Sequence, residues 1–221
     1  MMIFLSCLIA GIISYLLGSC NFAIITVRLL KGEDIRNFGS KNAGLTNTLR
    51  CFGKGCAVLT LIGDLSKGVV SVILSRWICS LMDAGINGGD THYIGYIAGF
   101  FAILGHIFPI YYGFKGGKGV LVGVSIFLAT DPPTFAVLIL IFIIVLSISK
   151  YVSLASIISA GFAPFATFLV HYFIHNTDMK IAVLYAVLSL LMSSVVIYMH
   201  KSNIERLRNG VENKFSLGSK K

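Results

Sequence analysis

Seven apolar stretches, several too long and too poor in charge for a water-soluble core, leave this chain of 221 residues little choice but a lipid bilayer. They cover residues 3–27, 56–82, 93–112, 120–130, 134–148, 151–174 and 181–199. A helix crossing about 30 Å of hydrocarbon needs roughly 20 residues. The fourth and fifth stretches, either side of Asp131-Pro132-Pro133, are short by that measure. They read as two thin or tilted spans, or as one broken re-entrant hairpin. Composition agrees with a membrane protein: 12% of the residues are charged and 56% hydrophobic, against roughly 25% charged in soluble domains. A disordered chain, a collagen and a disulfide scaffold are excluded on the same grounds. The expected fold is an all-α integral membrane protein forming a single membrane domain over 1–221.

Charge gives the sidedness. Of 18 Lys and Arg, six lie in 28–54 (Arg28, Lys31, Arg36, Lys41, Arg50, Lys54), two in the 113–119 loop (Lys115, Lys118), one at Lys150 and six in the tail after His200. The alternate connections hold four acids, Asp83, Asp90, Asp131 and Asp178, with Lys180. The positive-inside rule puts the cation-rich segments, 28–55, 113–119, 149–152 and 200–221, in the cytoplasm and the N-terminus outside. A chain that enters from outside and ends in a cytoplasmic tail needs an odd number of spans. A seven-transmembrane-helix bundle closes the alternation. Leu17-Gly18-Ser19-Cys20 has the look of a lipoprotein cleavage box, but no Lys or Arg precedes it, so 3–27 is expected as a retained first span. Topology explains the cation excess, and without a basic helix or an aromatic platform no nucleic-acid partner is expected.

The polar residues collect in the cytoplasmic segments. Gly39–Arg50 packs Ser40, Asn42, Thr46, Asn47 and two cations, Lys41 and Arg50, among glycines. Small residues let backbone N–H groups approach a ligand closely, and Arg binds phosphate bidentately; the same residues also suit a loop with a helix cap. Gly116-Gly117-Lys118-Gly119, preceded by Lys115, has the composition of an anion nest in which backbone N–H groups and a helix N-terminus face a phosphate. A tight turn with two positive-inside lysines is the plainer alternative. A Walker A loop is excluded, because that motif needs Ser or Thr where Gly119 stands and Gly where Tyr112 stands. Ser153 and Ser156 open the sixth stretch, and His200 and Asn203 lie three apart where the last one ends. Within the second stretch, Asp64 and Lys67 are three apart on one helical face and placed to pair. They form either a structural ion pair or, through Lys67, part of an anion-attracting cavity. The five cysteines include no CxxC pair, and no Cys/His cluster has ligand spacing, so neither metal nor cofactor is expected.

These blocks, in this order, resemble the bacterial acyl-phosphate-dependent glycerol-3-phosphate acyltransferases, the PlsY family. The matching residues are Gly18-Ser19, Ile35-Arg36, Gly-Ser-x-Asn-x-Gly-x-Thr-Asn-x-x-Arg over 39–50, and Asp64-x-x-Lys67-Gly68. Gly105-His-x-Phe-Pro, Phe114-Lys-Gly-Gly-Lys-Gly119, Tyr151–Ser156, and His200-Lys-x-Asn-Ile with Gly210-x-Glu-Asn-Lys214 follow. The resemblance implies a seven-helix enzyme of the bacterial inner membrane with its site facing the cytoplasm. The reaction implied is transfer of an acyl group from acyl phosphate to the 1-hydroxyl of glycerol 3-phosphate, with a functional link to the enzyme that makes the acyl phosphate. By motif position, Ser40, Arg50, His200 and Asn203 are the implied catalytic residues. Asn42, Thr46, Asn47, Lys115, Gly116, Gly117, Lys118, Gly119, Ser153, Ser156 and Lys67 are expected to bind substrate, and Glu212 to be structural. Lys41 stands where the family usually has Gly, Leu45 where it has Ala, and Val120-Leu121-Val122 lacks the usual small-residue and Thr continuation. A small phosphate or organic-phosphate transporter is the alternative from another class, although no internal repeat supports it.

Overall fold

The computed structural model describes residues 1–86 and 89–215; the last residues of the expected tail, 216–221, lie outside them. The helices are α1 (Met2–Ser19), α2 (Phe22–Lys31), α3 (Leu45–Leu81), α4 (His92–Ile107), α5 (Val120–Thr130), α6 (Pro132–Ser149), α7 (Val152–Leu169), α8 (Met179–Tyr198) and α9 (Lys201–Arg208). The chain forms two compact units, Met1–Thr130 and Asp131–Lys221. Among the described residues six segments are long and apolar enough to cross a membrane: Met2–Lys31, Leu45–Leu81, His92–Tyr112, Pro132–Ser149, Val152–Ile174 and Met179–Tyr198. The other expected span, 120–130, is the shorter apolar helix α5 of 11 residues, about 16 Å of helix at 1.5 Å per residue.

In the first unit α1 packs on α4 and α3, and α5 on α3 and α4. Lipid is as apolar as leucine, so helices associate through close packing and polar contacts. Two glycines permit the closest approach. A Cβ on Gly18 would run into the Ala102 carbonyl, and one on Gly105 into the Tyr15 carbonyl. Ser14 and Ser75 join α1 to α3 by a hydroxyl–hydroxyl hydrogen bond of 3.2 Å. The stretch expected as one span over 3–27 is two helices, broken at Cys20-Asn21, where the Asn21 side chain caps α2 by accepting from Ile24 N–H (3.2 Å). The α3 helix starts eleven residues before the expected 56, and breaks at Gly53, whose φ of 79° and ψ of −175° are not helical. Half of the first motif, expected as loop, is therefore helical.

In the second unit α7 packs against α6 and α8. Only Thr134 and Leu138 of α6 are buried, which leaves the helix to lipid. Asp131 precedes α6, and Pro132 and Pro133 open it, where a missing N–H does no harm. A π turn at Val170–Ile174 ends α7. The buried Asp131 carboxylate meets Thr134 and the Nε2 atoms of His175 (2.9 Å) and His171 (3.6 Å). These contacts tie the end of the α7 segment to the start of α6.

The glycine contacts predict an asymmetry. Gly105→Ala places a methyl group against backbone, which cannot swing aside, and should cost about 1–3 kcal/mol as overpacking does. Gly161→Ala, in α7, has open space around its Cβ and should leave the thermal midpoint in detergent unchanged or slightly higher. Equal midpoints for the two variants would refute the close-packing account.

Candidate active site

The first unit brings together the first motif and the glycine loop. Ser40, Lys41 and Arg50 are exposed, Asn42 is half-buried and Asn47 is buried. Asn47 is the internal frame of its motif: Oδ1 accepts from Ser40 N–H (3.0 Å), while Nδ2 donates to the carbonyls of Phe38 (3.0 Å) and Asn42 (3.1 Å). With its amide committed to the loop, Asn47 shapes the motif and is not placed to contact a ligand. Thr46 and Arg50 follow one turn apart on one exposed face of α3. Lys41, standing where resemblance implies glycine, has a φ of 58°, in the region that glycine enters at least cost.

The glycine loop departs from the expected nest. The N–H groups of Gly116 and Gly117 do not face outward. They donate to the carbonyls of Ile107 (3.0 Å) and His106 (3.1 Å) at the end of α4. These glycines are needed for space, since a Cβ on Gly116 would strike the His106 carbonyl and one on Gly117 the His106 ring. The segment after them leads into the next helix. Lys118 is half-buried, Gly119 has a φ of 82°, and α5 begins at Val120. First-turn N–H groups of a helix have no intrahelical acceptor and lie at the positive end of its dipole. Lys115 is exposed beside them.

Two ties hold this loop to the first motif. Ala43 N–H donates to the Gly116 carbonyl (3.4 Å). Arg36 donates through Nη1 to the carbonyls of Tyr112 (2.7 Å) and Lys115 (3.3 Å), while its Nε and Nη2 grip Asp34 (2.9 and 2.7 Å). The Arg36 hydrogen bonds, with a further one from Arg28, hold the Asp34 carboxyl well below the usual carboxylate range. The ionised pair therefore persists through neutral pH and weakens only in strong acid. Composition had not singled out Asp34 or Arg36 for any task. The signal available was Ile35-Arg36 standing just ahead of the first motif.

Lys67 corrects an expectation. The resemblance implies a substrate-binding lysine here, but its side chain is 3% exposed and its ammonium is already committed. It meets Asp64 Oδ1 (2.8 Å) and donates to the Cys20 carbonyl (3.0 Å) and to Nδ1 of His106 (2.9 Å). The structural ion pair weighed from the sequence is the one that forms, and it draws in His106, whose part sequence spacing did not disclose.

The second unit has its own cluster. Glu212 Oε1 accepts from Ser153 Oγ (3.1 Å) and Asn203 Nδ2 (2.9 Å), and Oε2 from Arg206 Nε (2.7 Å). One carboxylate thus pins the chain after α9 to α7 and α9. Ser156 gives its hydroxyl to the Val152 carbonyl (2.8 Å) within its own helix, whereas Ser153 points to the tail. His200 is buried at the end of α8, with Nδ1 against the Val196 carbonyl (2.7 Å). A carbonyl cannot donate, so Nδ1 carries the proton, and in the neutral ring Nε2 is the acceptor nitrogen. Among the described residues no group of three or more His, Cys, Asp or Glu could hold a metal ion.

The family model for glycerol-3-phosphate acyltransferase matches residues 8–210. A glycerol-3-phosphate acyltransferase of Clostridioides difficile is 37% identical over 216 residues, covering 98% of each chain. One of Staphylococcus aureus is 36% identical over 92% of this chain and 95% of its own. Among solved structures, the chain is similar to crystal structures of PlsY, described as an integral membrane glycerol 3-phosphate acyltransferase. The glycerol 3-phosphate form gives a TM-score of 0.77 at 32% identity, and the lysophosphatidic acid form 0.76 at 30%. Each covers 96% of both chains.

Proposed function

We propose that this chain, which belongs to the glycerol-3-phosphate acyltransferase family and acylates glycerol 3-phosphate, takes its acyl group from an acyl phosphate. The products are 1-acyl-glycerol 3-phosphate and inorganic phosphate. The observation that carries the donor assignment is the pairing of two cation-bearing loops, Gly39–Arg50 and Lys115–Gly119, through Arg36 and Ala43. Two adjoining anion sites suit two phosphate-bearing substrates. An acyl phosphate is a mixed anhydride with a good leaving group, so the protein needs chiefly to position two anions and stabilise developing charge. The 1-hydroxyl oxygen bonds to the acyl carbon, the bond from that carbon to the phosphate oxygen breaks, and the hydroxyl proton passes to the departing phosphate. His200 then orients substrate, in keeping with an Nδ1–H held by a carbonyl where a general base would more often be oriented by a carboxylate.

In this reading Ser40 and Arg50, flanked by Asn42 and Thr46, serve the reacting acyl phosphate. Lys115, Lys118 and Gly119 receive glycerol 3-phosphate. Asn203 and Ser153, both held by Glu212, belong with His200 to the substrate-facing set of the second unit. The chain is a multi-pass integral membrane protein. The proposal adds the bacterial inner membrane, seven spans with the N-terminus outside, and a site facing the cytoplasm, on the strength of the alternating cations. An enzyme that makes acyl phosphate must supply the donor.

Three measurements test these assignments. Purified protein given palmitoyl phosphate and labelled glycerol 3-phosphate should form lysophosphatidic acid, with no turnover from acyl-CoA; comparable rates with acyl-CoA would sink the donor assignment. Losing one charge-assisted contact costs about 1.5–3 kcal/mol, and each 1.36 kcal/mol is tenfold. Lys118→Ala should then raise the KM for glycerol 3-phosphate roughly 10- to 100-fold. Ser40→Ala and Arg50→Ala should instead lower kcat by about two orders of magnitude or more, and His200→Gln should keep more than about a hundredth of it. The opposite split between Lys118 and Arg50 would mean the two anion sites are exchanged. For orientation, single cysteines at Lys54 and Asn209 on a Cys-free background should resist an impermeant thiol reagent in intact cells, while one at Asp83 labels. Labelling at Asn209 with protection at Asp83 would reverse the topology.

A further inference from the structure

Beneath the two anion loops lies a buried polar knot that the chemistry itself does not use. Lys67 of α3, Asp64 one turn before it and His106 of α4 are 4% exposed or less. The Lys67 ammonium lies within 3.0 Å of the Asp64 carboxylate, the Cys20 carbonyl and the His106 ring. Each of these leads to a different part of the site. Cys20 is where α1 stops, and its carbonyl would otherwise end a helix with no partner. Asp64 Oδ1 also accepts from Phe22 N–H (3.4 Å), in the first turn of α2. Between them, Asn21 reaches out and donates through Nδ2 to the Ala43 carbonyl in the first motif (3.3 Å). His106 offers its carbonyl to Gly117 N–H (3.1 Å), and its ring leaves no room for a Cβ on that residue. From one ammonium group, a single residue leads on one side to the first motif and another on the other side to the glycine loop.

We propose that Lys67 is a positioning residue for glycerol 3-phosphate: by clamping the break between α1 and α2 to the His106 ring, it fixes the spacing between the first motif and the glycine loop. The inference rests on the reading of that loop as the glycerol 3-phosphate site. An ammonium suits the task because it has three donors and can face three directions at once. A neutral or shorter side chain would leave the Cys20 carbonyl and the Asp64 carboxylate without it. Asp64 has no spare support, since its Oδ2 has no hydrogen-bond partner among the described residues.

The test must separate positioning from plain stability. Lys67→Met alone strands a buried carboxylate, and removal of one member of a buried pair is strongly destabilising, whereas replacing both by apolar groups is often neutral. The double variant Asp64→Leu/Lys67→Met should therefore regain a thermal midpoint close to that of the wild type. Its KM for glycerol 3-phosphate should nevertheless stay at least about tenfold raised, with kcat changed less. A second pair reads the same network without touching the charges. His106→Leu removes the acceptor facing Lys67 and should raise the KM and the Kd for glycerol 3-phosphate. His106→Asn, whose Oδ1 sits near the lost Nδ1, should recover most of both. A stable double variant with wild-type KM, or equal constants for the Leu and Asn variants, overturns the proposal. Titration calorimetry with glycerol 3-phosphate gives the Kd without turnover, so a wild-type protein that binds it but is inactive with acyl phosphate would sink the donor assignment alone. The Kd comparison would then decide the role of Lys67. A folded wild-type protein that does not bind glycerol 3-phosphate would overturn both.

Discussion

A helix that stops inside a membrane leaves carbonyls and N–H groups for which lipid offers no partner, and each break must be satisfied from within the protein. The first unit depends on this constraint. The Cys20 carbonyl is taken by Lys67 and the Ile24 N–H by Asn21. The amides that follow α4 fold back on the carbonyls of His106 and Ile107. Buried hydroxyls such as Ser71 and Thr60 bond within their own helix, whereas Asn21 and Lys67 answer the break between α1 and α2. The same contacts that make the breaks tolerable also set the position of the loops that grow from them.

Glycine has two separate tasks in this arrangement. At Gly18 and Gly105 it lets α1 and α4 meet backbone to backbone, which brings the Cys20 break within reach of α3 and α4. At Gly116 and Gly117 it lets a loop lie flat on the end of α4, with its amides turned inward. A loop held down in this way leaves Lys115 exposed and Lys118 half-buried just ahead of α5. Under the proposed function, cations carried on such a fixed loop need little rearrangement at the moment of reaction, the condition under which electrostatic stabilisation is most effective.

The second unit solves a different problem with the same means. Its tail leaves the last membrane helix as a polar segment that burial alone would not hold. A single carboxylate, Glu212, collects Ser153, Asn203 and Arg206 and so fixes the tail against α7. At the Asp131 end, one buried carboxylate collects Thr134, His171 and His175. In both places an acid gathers donors from segments far apart in sequence, as Asp64 does in the first unit.

The amino-acid sequence by itself determined that the chain enters a membrane and which segments carry polar chemistry. It also singled out Gly39–Arg50 and Lys115–Gly119, the two loops proposed here to bind anions. Those properties follow from apolar run length and local composition, which need no knowledge of neighbours. Helix limits were legible within a few residues over 134–199, where nothing interrupts the apolar pattern. They were misjudged at Cys20-Asn21, where Lys67 completes the break from 47 residues away, and at Gly53, where the backbone leaves the helical region within α3. Tertiary structure alone decided that Lys67 serves Cys20 and His106, 47 and 39 residues away, rather than a ligand. It also decided that Arg36 grips Tyr112, 76 residues on, and that the amides of Gly116 and Gly117 point inward. The physical reason is the same in each case: a side chain's type limits what it can bond to, but only the packing of helices determines which donor and acceptor are close enough to do so.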